Sequence, residues 1–251
     1  MINRRELLRD GLAVFPIYAL LAELGTAGAA SGHGLSPKRW INRQNDIART
    51  LARGEIDADQ WRVEVVALAH DIDLSQLMKE IDQSIIKIIG RGLPNYPLKR
   101  AVYFRDDDGN RRILRYAAAL FAFDRDNVIT PHAHRHMVSA HMVIDGTFRV
   151  RNFDRVRDEE DAIVIRPTID EDIRVGDVSS IADTRDNIHW FVPRTEHAAT
   201  FDVIVSGLDA GEPKYRIDAL DPVRGARLSD GTIRAPIIGF GEASRFYTAA
   251  I

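Results

Sequence analysis

Residues 129–146 read ITPHAHRHMVSAHMVIDG and hold four of the eight histidines of this 251-residue chain. In a strand, residues two apart point the same way, so His132 and His134 share one face, and His136 joins them if the strand does not bend. A single buried histidine is usually satisfied by hydrogen bonds within the core. Two or three on one face are hard to satisfy in that way, because each ring has two nitrogens to pair. The stretch therefore predicts a metal site on a strand.

The sequence on either side of this stretch predicts a sheet-rich body that follows a helical region. After Pro97, short runs rich in Val, Ile, Phe, Tyr and Thr alternate with Asp-Gly turns, which is typical of an antiparallel sandwich or a small barrel. Residues 36–92 instead indicate helices, and the clearest of these starts near Asp73 and ends before Gly90. Its apolar residues follow helical spacing: Leu74, Leu77, Met78, Ile81, Ile85 and Ile88.

The composition of the chain excludes several classes of protein. With 45% hydrophobic and 28% charged residues the chain is globular. Because it has no cysteine, it cannot form a Cys-ligated zinc finger, an iron–sulfur cluster or a cysteine nucleophile. Its 34 basic and 37 acidic residues are interspersed, with a net charge of −3. No basic stripe or polybasic tail indicates a nucleic-acid partner or an anionic lipid surface.

The first thirty residues resemble a twin-arginine export signal. Arg4 and Arg5 precede two leucines and Arg9, and an apolar run of about twelve residues and the small-residue stretch 27–30 follow. The resemblance implies export of the folded protein to the periplasm and removal of residues 1–30. No stable membrane insertion is expected afterwards, because the apolar run is too short to span a bilayer comfortably. The alternative is the amphipathic N-terminal helix of a cytoplasmic protein.

The histidine stretch also resembles the first motif of the cupin superfamily. That motif has two histidines around one residue, a ligand position five further on and a glycine seven after that: here His132, His134, Ser139 and Gly146. The second cupin motif resembles residues 176–191, which supply a third histidine, His189. The resemblance implies a mainly β fold: a cupin barrel (a double-stranded β-helix, or jelly roll) over residues 96–251. A helical extension at residues 31–95 is then expected to pack on the barrel.

Ser139 departs from most metal-binding cupins, which carry a glutamate ligand at that position. In lacking that glutamate, the chain resembles the thiol dioxygenases, the group of cysteine and cysteamine dioxygenases. These enzymes bind iron through three histidines. Residues 186–191, followed by residues 201–205, look like the region around the third histidine in the cysteamine and plant cysteine oxidases. The resemblance implies that dioxygen and a small thiol are the substrates and that a sulfinic acid is the product.

The same resemblance implies roles for individual side chains. The three histidines of the two motifs would hold one divalent metal ion, with Fe(II) favoured and Zn, Mn, Ni or Cu as alternatives. Arg105 lies about where cysteine dioxygenases carry the arginine that clamps the substrate carboxylate, although it also fits a solvated arginine at a strand end. Tyr215 is the nearest candidate for the tyrosine of that group. His141 is a candidate for a fourth ligand, a proton donor or a hydrogen-bonding partner of a ligand.

Two other classes of function fit the same residues. One is a different cupin enzyme, such as a ring- or enol-cleaving dioxygenase or an isomerase, with another metal. The other is an exported metal- or ligand-binding cupin without turnover. The sequence indicates no oligomeric state, and its helical region does not discriminate between these functions.

Overall fold

The computed structural model describes residues 34–89, 93–209, 211 and 216–251. Within them, Leu35–Ile251 form one compact unit. The predicted export signal at residues 1–30 lies outside the described residues. The helices of the described part are α1 (Pro37–Ala52), α2 (Ala58–His70), α3 (Leu74–Asp82) and α4 (Phe240–Phe246). None of them is long and apolar enough to cross a membrane.

Aspartates start two of the N-terminal helices. Asp57 accepts a hydrogen bond from the backbone N–H of Gln60, and the Gln60 side chain accepts one from the backbone N–H of Asp57. This reciprocal capping box satisfies two N–H groups that the first turn of α2 would leave unpaired. At α3, the Asp73 carboxylate accepts hydrogen bonds from the backbone N–H groups of Ser75 and Gln76.

The helix predicted over residues 74–88 ends at Asp82, and Ile85–Ile88 form strand β1 instead. Three of these four residues are isoleucine, whose branched side chain favours strands. β1 pairs antiparallel with β2 (Leu98–Tyr103), so pairing with the sheet overrides the helical spacing of the last isoleucines.

The remaining strands build two antiparallel sheets. They are β3 (Ala117–Asp124), β4 (Ile129–Arg135), β5 (Met137–Asp145), β6 (Thr147–Asp158), β7 (Ala162–Arg174), β8 (Val178–Ile181), β9 (Ile188–Pro193), β10 (His197–Ser206), β11 (Arg216–Leu220), β12 (Ala226–Arg227) and β13 (Ile233–Ile238). The six-stranded sheet runs β1-β2-β3-β10-β5-β8, and the seven-stranded sheet runs β11-β4-β9-β6-β7-β13-β12.

Strands β3 to β10 define the topology. Counted in chain order from one to eight, they lie 1-8-3-6 in one sheet and 2-7-4-5 in the other. This is the order of a jelly roll, in which two Greek keys fold over each other and close a barrel. The predicted fold class, a mainly β cupin barrel with helices on its N-terminal side, is therefore confirmed.

The barrel is filled at one end and open inside at the other. On the inward face of β3 the residues change from alanine, at Ala117 and Ala119, to phenylalanine, at Phe121 and Phe123. The Phe123 ring packs edge-on against Phe148 of the opposite sheet, with centroids 4.8 Å apart. The phenylalanines therefore close one end, and the small alanines leave room for a cavity at the other.

The N-terminal helices cover the outer face of the six-stranded sheet. The Trp40 ring of α1 lies 5.9 Å from the Phe201 ring of β10, and its indole N–H donates to the carbonyl oxygen of Leu68. Arg62 of α2 donates to Ser180 and to the buried carboxylate of Asp186. Both apolar packing and a charged contact therefore join the helices to the barrel.

Candidate metal centre

Three histidines from two paired strands meet inside the barrel. His132 and His134 alternate along β4, and the β4–β9 register places His132 opposite His189. The Nε2 atom of His189 lies 3.2 Å from that of His132 and 3.5 Å from that of His134. Two ligand nitrogens bound to one ion at about 2.1 Å lie about 3.0–3.4 Å apart in octahedral or tetrahedral geometry, so this spacing fits a single metal ion.

Hydrogen bonds on the far side of two rings orient the Nε2 atoms. His132 Nδ1 lies 2.8 Å from the carbonyl oxygen of Thr130, to which it can only donate. His134 Nδ1 lies 3.1 Å from the sulfur of Met137. With the proton on Nδ1, each Nε2 carries a lone pair aimed at the others. Among the described residues, His189 Nδ1 has no hydrogen-bond partner. The Nε2 lone pairs of His132 and His134 converge on the His189 ring, so this donor set suits a cation when His189 carries its proton on Nδ1.

Burial keeps these imidazoles neutral. Loss of water lowers the pKa of His132 to about 4, although its hydrogen bond to Thr130 opposes the change. Burial also lowers the pKa values of His134 and His189 well below the ordinary range. A metal ion needs the unprotonated ring, so the site is ready to bind one at neutral pH.

The three rings line a cavity of about 230 Å³ between the two sheets. Ile129 of the seven-stranded sheet and Phe121 of the six-stranded sheet are among its apolar walls. Its polar groups other than the three histidines are Tyr96, Lys99, Ser139, His141, Asp202 and Ser206. The cavity therefore has a histidine wall on one sheet and a mixed polar wall on the other.

Ser139, His141 and Asp202 form a hydrogen-bonded chain on the polar wall. His141 Nδ1 lies 2.7 Å from Asp202 Oδ2, and His141 Nε2 lies 2.9 Å from Ser139 Oγ. Asp202 accepts from Nδ1–H, and in the neutral ring Nε2 accepts from the Ser139 hydroxyl group. Both nitrogens of His141 are thus occupied, although its ring centroid is only 4.7 Å from that of His189. The structure places His141 beside the three converging nitrogens and not among them.

His136 does not join the cluster, because the strand bends at this residue. It is the single residue between β4 and β5, and its φ of 60° lies in the left-handed region that few side chains adopt. Its backbone N–H donates to Asp183, and its ring faces Asp209, with Nδ1 3.8 Å from Oδ2. The expected alternation therefore stops at His134.

Arg105 also lies away from the histidine cavity. Its guanidinium group is exposed and donates to the carbonyl oxygens of Gln83 and Gly109, at 3.0 and 2.7 Å. It is not among the residues that line the cavity, so the structure does not support its role as a carboxylate clamp. Tyr215 lies outside the described residues.

Three side chains at the site were missed by sequence reasoning: Tyr96, Lys99 and Asp202. Lys99 and Asp202 lie on inward positions of β2 and β10, where the registers place Lys99 beside Phe121 and Asp202 beside His141. A charged residue inside an apolar strand, as in the run FDVIV, was the available signal for Asp202. Tyr96 is a loop residue, and burial raises its pKa to about 12.

The fold and the site together define a cupin barrel with a three-histidine group able to hold a metal ion. Within the described part of the chain, no carboxylate belongs to this group. No family model matches the chain, and no curated protein matches it.

Several solved structures resemble part of the chain. KdgF from Halomonas sp. is 17% identical over 47% of this chain and 89% of its own, with a TM-score of 0.32. A protein with a double-stranded β-helix domain from Klebsiella pneumoniae is 14% identical over 51% and 83%, with a TM-score of 0.33. A cupin superfamily protein from Desulfitobacterium hafniense is 14% identical over 46% and 83%, with a TM-score of 0.30. At these values the fold assignment rests on the strand order.

Proposed function

We propose that this protein is an iron-dependent dioxygenase that oxidises a small thiol to a sulfinic acid. The observation that carries the proposal is the convergence of three neutral imidazole nitrogens without a carboxylate in the group, within the described residues. Neutral ligands leave the full charge of a divalent ion available to a thiolate, which an anionic ligand would partly neutralise. The resemblance of Ser139 and the surrounding motifs to thiol dioxygenases supports the choice of reaction.

The proposed reaction balances without a further reductant. The thiol and one dioxygen molecule give a sulfinic acid in which both oxygen atoms are bonded to sulfur. Sulfur loses four electrons and dioxygen gains four. When bound by His132, His134 and His189, Fe(II) supplies the redox changes that let dioxygen react with the sulfur.

The residues of the cavity orient the proposed metal ligands and offer hydrogen-bond acceptors to a bound group. The Thr130 carbonyl group and the Met137 sulfur fix the orientation of two of the rings, so the ligands are positioned before metal binds. When the His141 ring is neutral, Ser139 donates its proton to His141, which leaves lone pairs on Ser139 Oγ to accept a hydrogen bond from a bound group. The volume of about 230 Å³ suits a small substrate.

The test combines metal analysis with oxygen uptake. Protein loaded with Fe(II) is expected to bind one iron per chain and to consume oxygen with a small thiol, with a sulfinic acid as product. His134→Ala should lose both iron and uptake, whereas His136→Ala, a matched change two residues away and outside the cluster, should keep both. Iron-loaded protein that consumes no oxygen with any small thiol contradicts the proposed reaction. It would favour a different cupin enzyme or a binding protein.

We also propose that the protein acts in the periplasm. The order of paired arginines, apolar run and small residues within positions 1–30 supports export by the twin-arginine route. This route carries folded proteins, which suits a protein that binds its metal before export. In a fusion of the full chain to a reporter, replacing both Arg4 and Arg5 with lysine should leave the protein in the cytoplasm. Unchanged periplasmic reporter activity would contradict export by this route.

A further inference from the structure

A second cavity, of about 380 Å³, adjoins the histidine cavity along the six-stranded sheet. Lys99, Ala117 and Ile204 line both cavities. Among the described residues that line the second cavity are four cationic side chains and no carboxylate. We call it the basic groove, after Lys99, Arg111, Arg112 and Arg115.

Of the three residues that line both cavities, Lys99 is the charged one. It lies in β2 opposite Phe121, and its Nζ atom is 5.0 Å from the centroid of the Phe121 ring. Within the described chain it forms no ion pair with a carboxylate. Burial lowers its pKa, and the nearby Asp202 raises it again. The ammonium group therefore lies in a part of the barrel where its charge is not neutralised by direct contact.

Neutral partners hold the three arginines of the basic groove. The Arg111 guanidinium group stacks on the Tyr103 ring, 3.8 Å from its centroid. Arg115 donates to the carbonyl oxygens of Ser206 and Gly207, at 3.0 and 3.3 Å, and Arg112 donates to the Asn42 side chain. None of the three forms an ion pair within the described residues. Asp107, whose pKa is lowered mainly by its hydrogen bond to Lys38, also feels the charge of Arg112, so Arg112 has a carboxylate nearby. The guanidinium groups of Arg111 and Arg115, which contact neutral partners, form a surface suited to an anion.

We propose that the basic groove is an anion subsite that binds the carboxylate or phosphate group of a small molecule whose other end enters the histidine cavity. Lys99 stands at the junction and would contact the anionic group. A divalent ion on the three imidazoles adds further positive charge nearby, so a ligand with an amine at this end is disfavoured. The inference about the substrate rests on the function proposed above. With that function, the substrate is an anionic thiol and not an aminothiol.

The first test uses inorganic phosphate and metal-free protein, so it does not depend on iron or turnover. Phosphate at about ten times its dissociation constant should raise the thermal midpoint of the wild type by about 3–6 °C, relative to chloride at equal ionic strength. Lys99→Met and Arg111→Met should each lose most of that rise. Arg100→Met is the matched control, because this neighbouring cation of β2 points to the other face of the sheet.

Either of two results overturns the anion subsite: no midpoint rise in the wild type, or an equal rise in Lys99→Met and Arg111→Met. Lys99 lies in β2, whereas Arg111 is an exposed residue of the loop between β2 and β3. If one variant fails to fold, the other therefore still decides the question. Lys99→Arg keeps the charge and should retain the rise.

The second test compares three small thiols with iron-loaded protein: mercaptopropionate, mercaptopropanol and cysteamine. We expect kcat/KM for the carboxylate to exceed the other two by about tenfold or more, and Lys99→Met to remove this preference through KM. Equal or faster uptake with cysteamine overturns the anionic substrate class. If no thiol is oxidised, the proposed reaction fails, and the phosphate experiment still decides the subsite.

Discussion

Acid should destabilise the metal-free protein because its centre holds three buried, neutral imidazoles. Burial lowers the pKa of His132 to about 4, against 6.5 for an ordinary histidine. Between these two values the unfolded chain binds a proton that the folded chain does not, so a falling pH favours unfolding. The contribution of His132 to the free energy of unfolding is complete above pH 6.5 and is lost by pH 4. The difference between the two pKa values corresponds to about 3 kcal/mol.

His134 and His189 change stability in the same direction, because burial lowers both of their pKa values. The measurement is urea denaturation of metal-free protein at a series of pH values from 7 to about 4.5. In His132→Asn the free energy of unfolding should fall less steeply, by up to about 1.4 kcal/mol for each pH unit. His136→Asn is the matched control, since it removes an imidazole that lies outside the cluster.

Parallel pH dependence in the wild type and in His132→Asn would refute this reasoning. It would mean that the His132 ring is protonated or hydrated in the folded, metal-free protein. A divalent ion provides a second check on the same groups, because it binds only to unprotonated Nε2 atoms. Its stabilising effect should therefore be large at pH 7 and decline in acid, with His134→Ala showing little effect at any pH.

Three further predictions concern how the barrel is held together, each measured by urea denaturation. Gly146→Ala should lower the free energy of unfolding by about 2–4 kcal/mol, because φ is +67° and the new Cβ would lie 2.5 Å from the carbonyl oxygen of His197. The control Gly109→Ala also has a positive φ but places its Cβ in open space, so it should cost about 1 kcal/mol. Arg62→Met should cost about 3 kcal/mol, because it leaves the buried Asp186 carboxylate with only the exposed Arg185, 4.0 Å away, as a cation. Asp57→Ala should cost about 1 kcal/mol through loss of the α2 cap.

The parts of the fold and of the site that could be predicted from sequence follow from local rules. Side chains alternate along a strand, which brings His132 and His134 to one face, and both lie in β4 with His189 opposite. The caps at Asp57 and Asp73 obey an equally local rule, because each carboxylate binds N–H groups within three residues. Such features need no knowledge of which strands become neighbours.

The parts that could not be predicted depend on long-range packing or on one residue's backbone. His136 leaves the cluster because a left-handed φ at a single residue turns β4 into β5, and strand periodicity does not reveal such a turn. Arg105 follows a strand that ends at Tyr103, so it is carried to the surface, where it binds carbonyl groups. Lys99 and Asp202 meet the histidines only because β2 and β10 pair on either side of β3.

The jelly roll separates the two tasks of the site between its sheets. The metal-binding nitrogens come from β4 and β9 of one sheet, whereas the groups expected to face a bound molecule come from β2, β3, β5 and β10 of the other. The small residues Ala117 and Ala119 keep space on the second wall, and Lys99 sets its charge. Apart from Met137, whose sulfur orients His134, changes on that wall should therefore alter which molecule is bound while leaving metal affinity intact. Changes at His132, His134 or His189 should do the reverse.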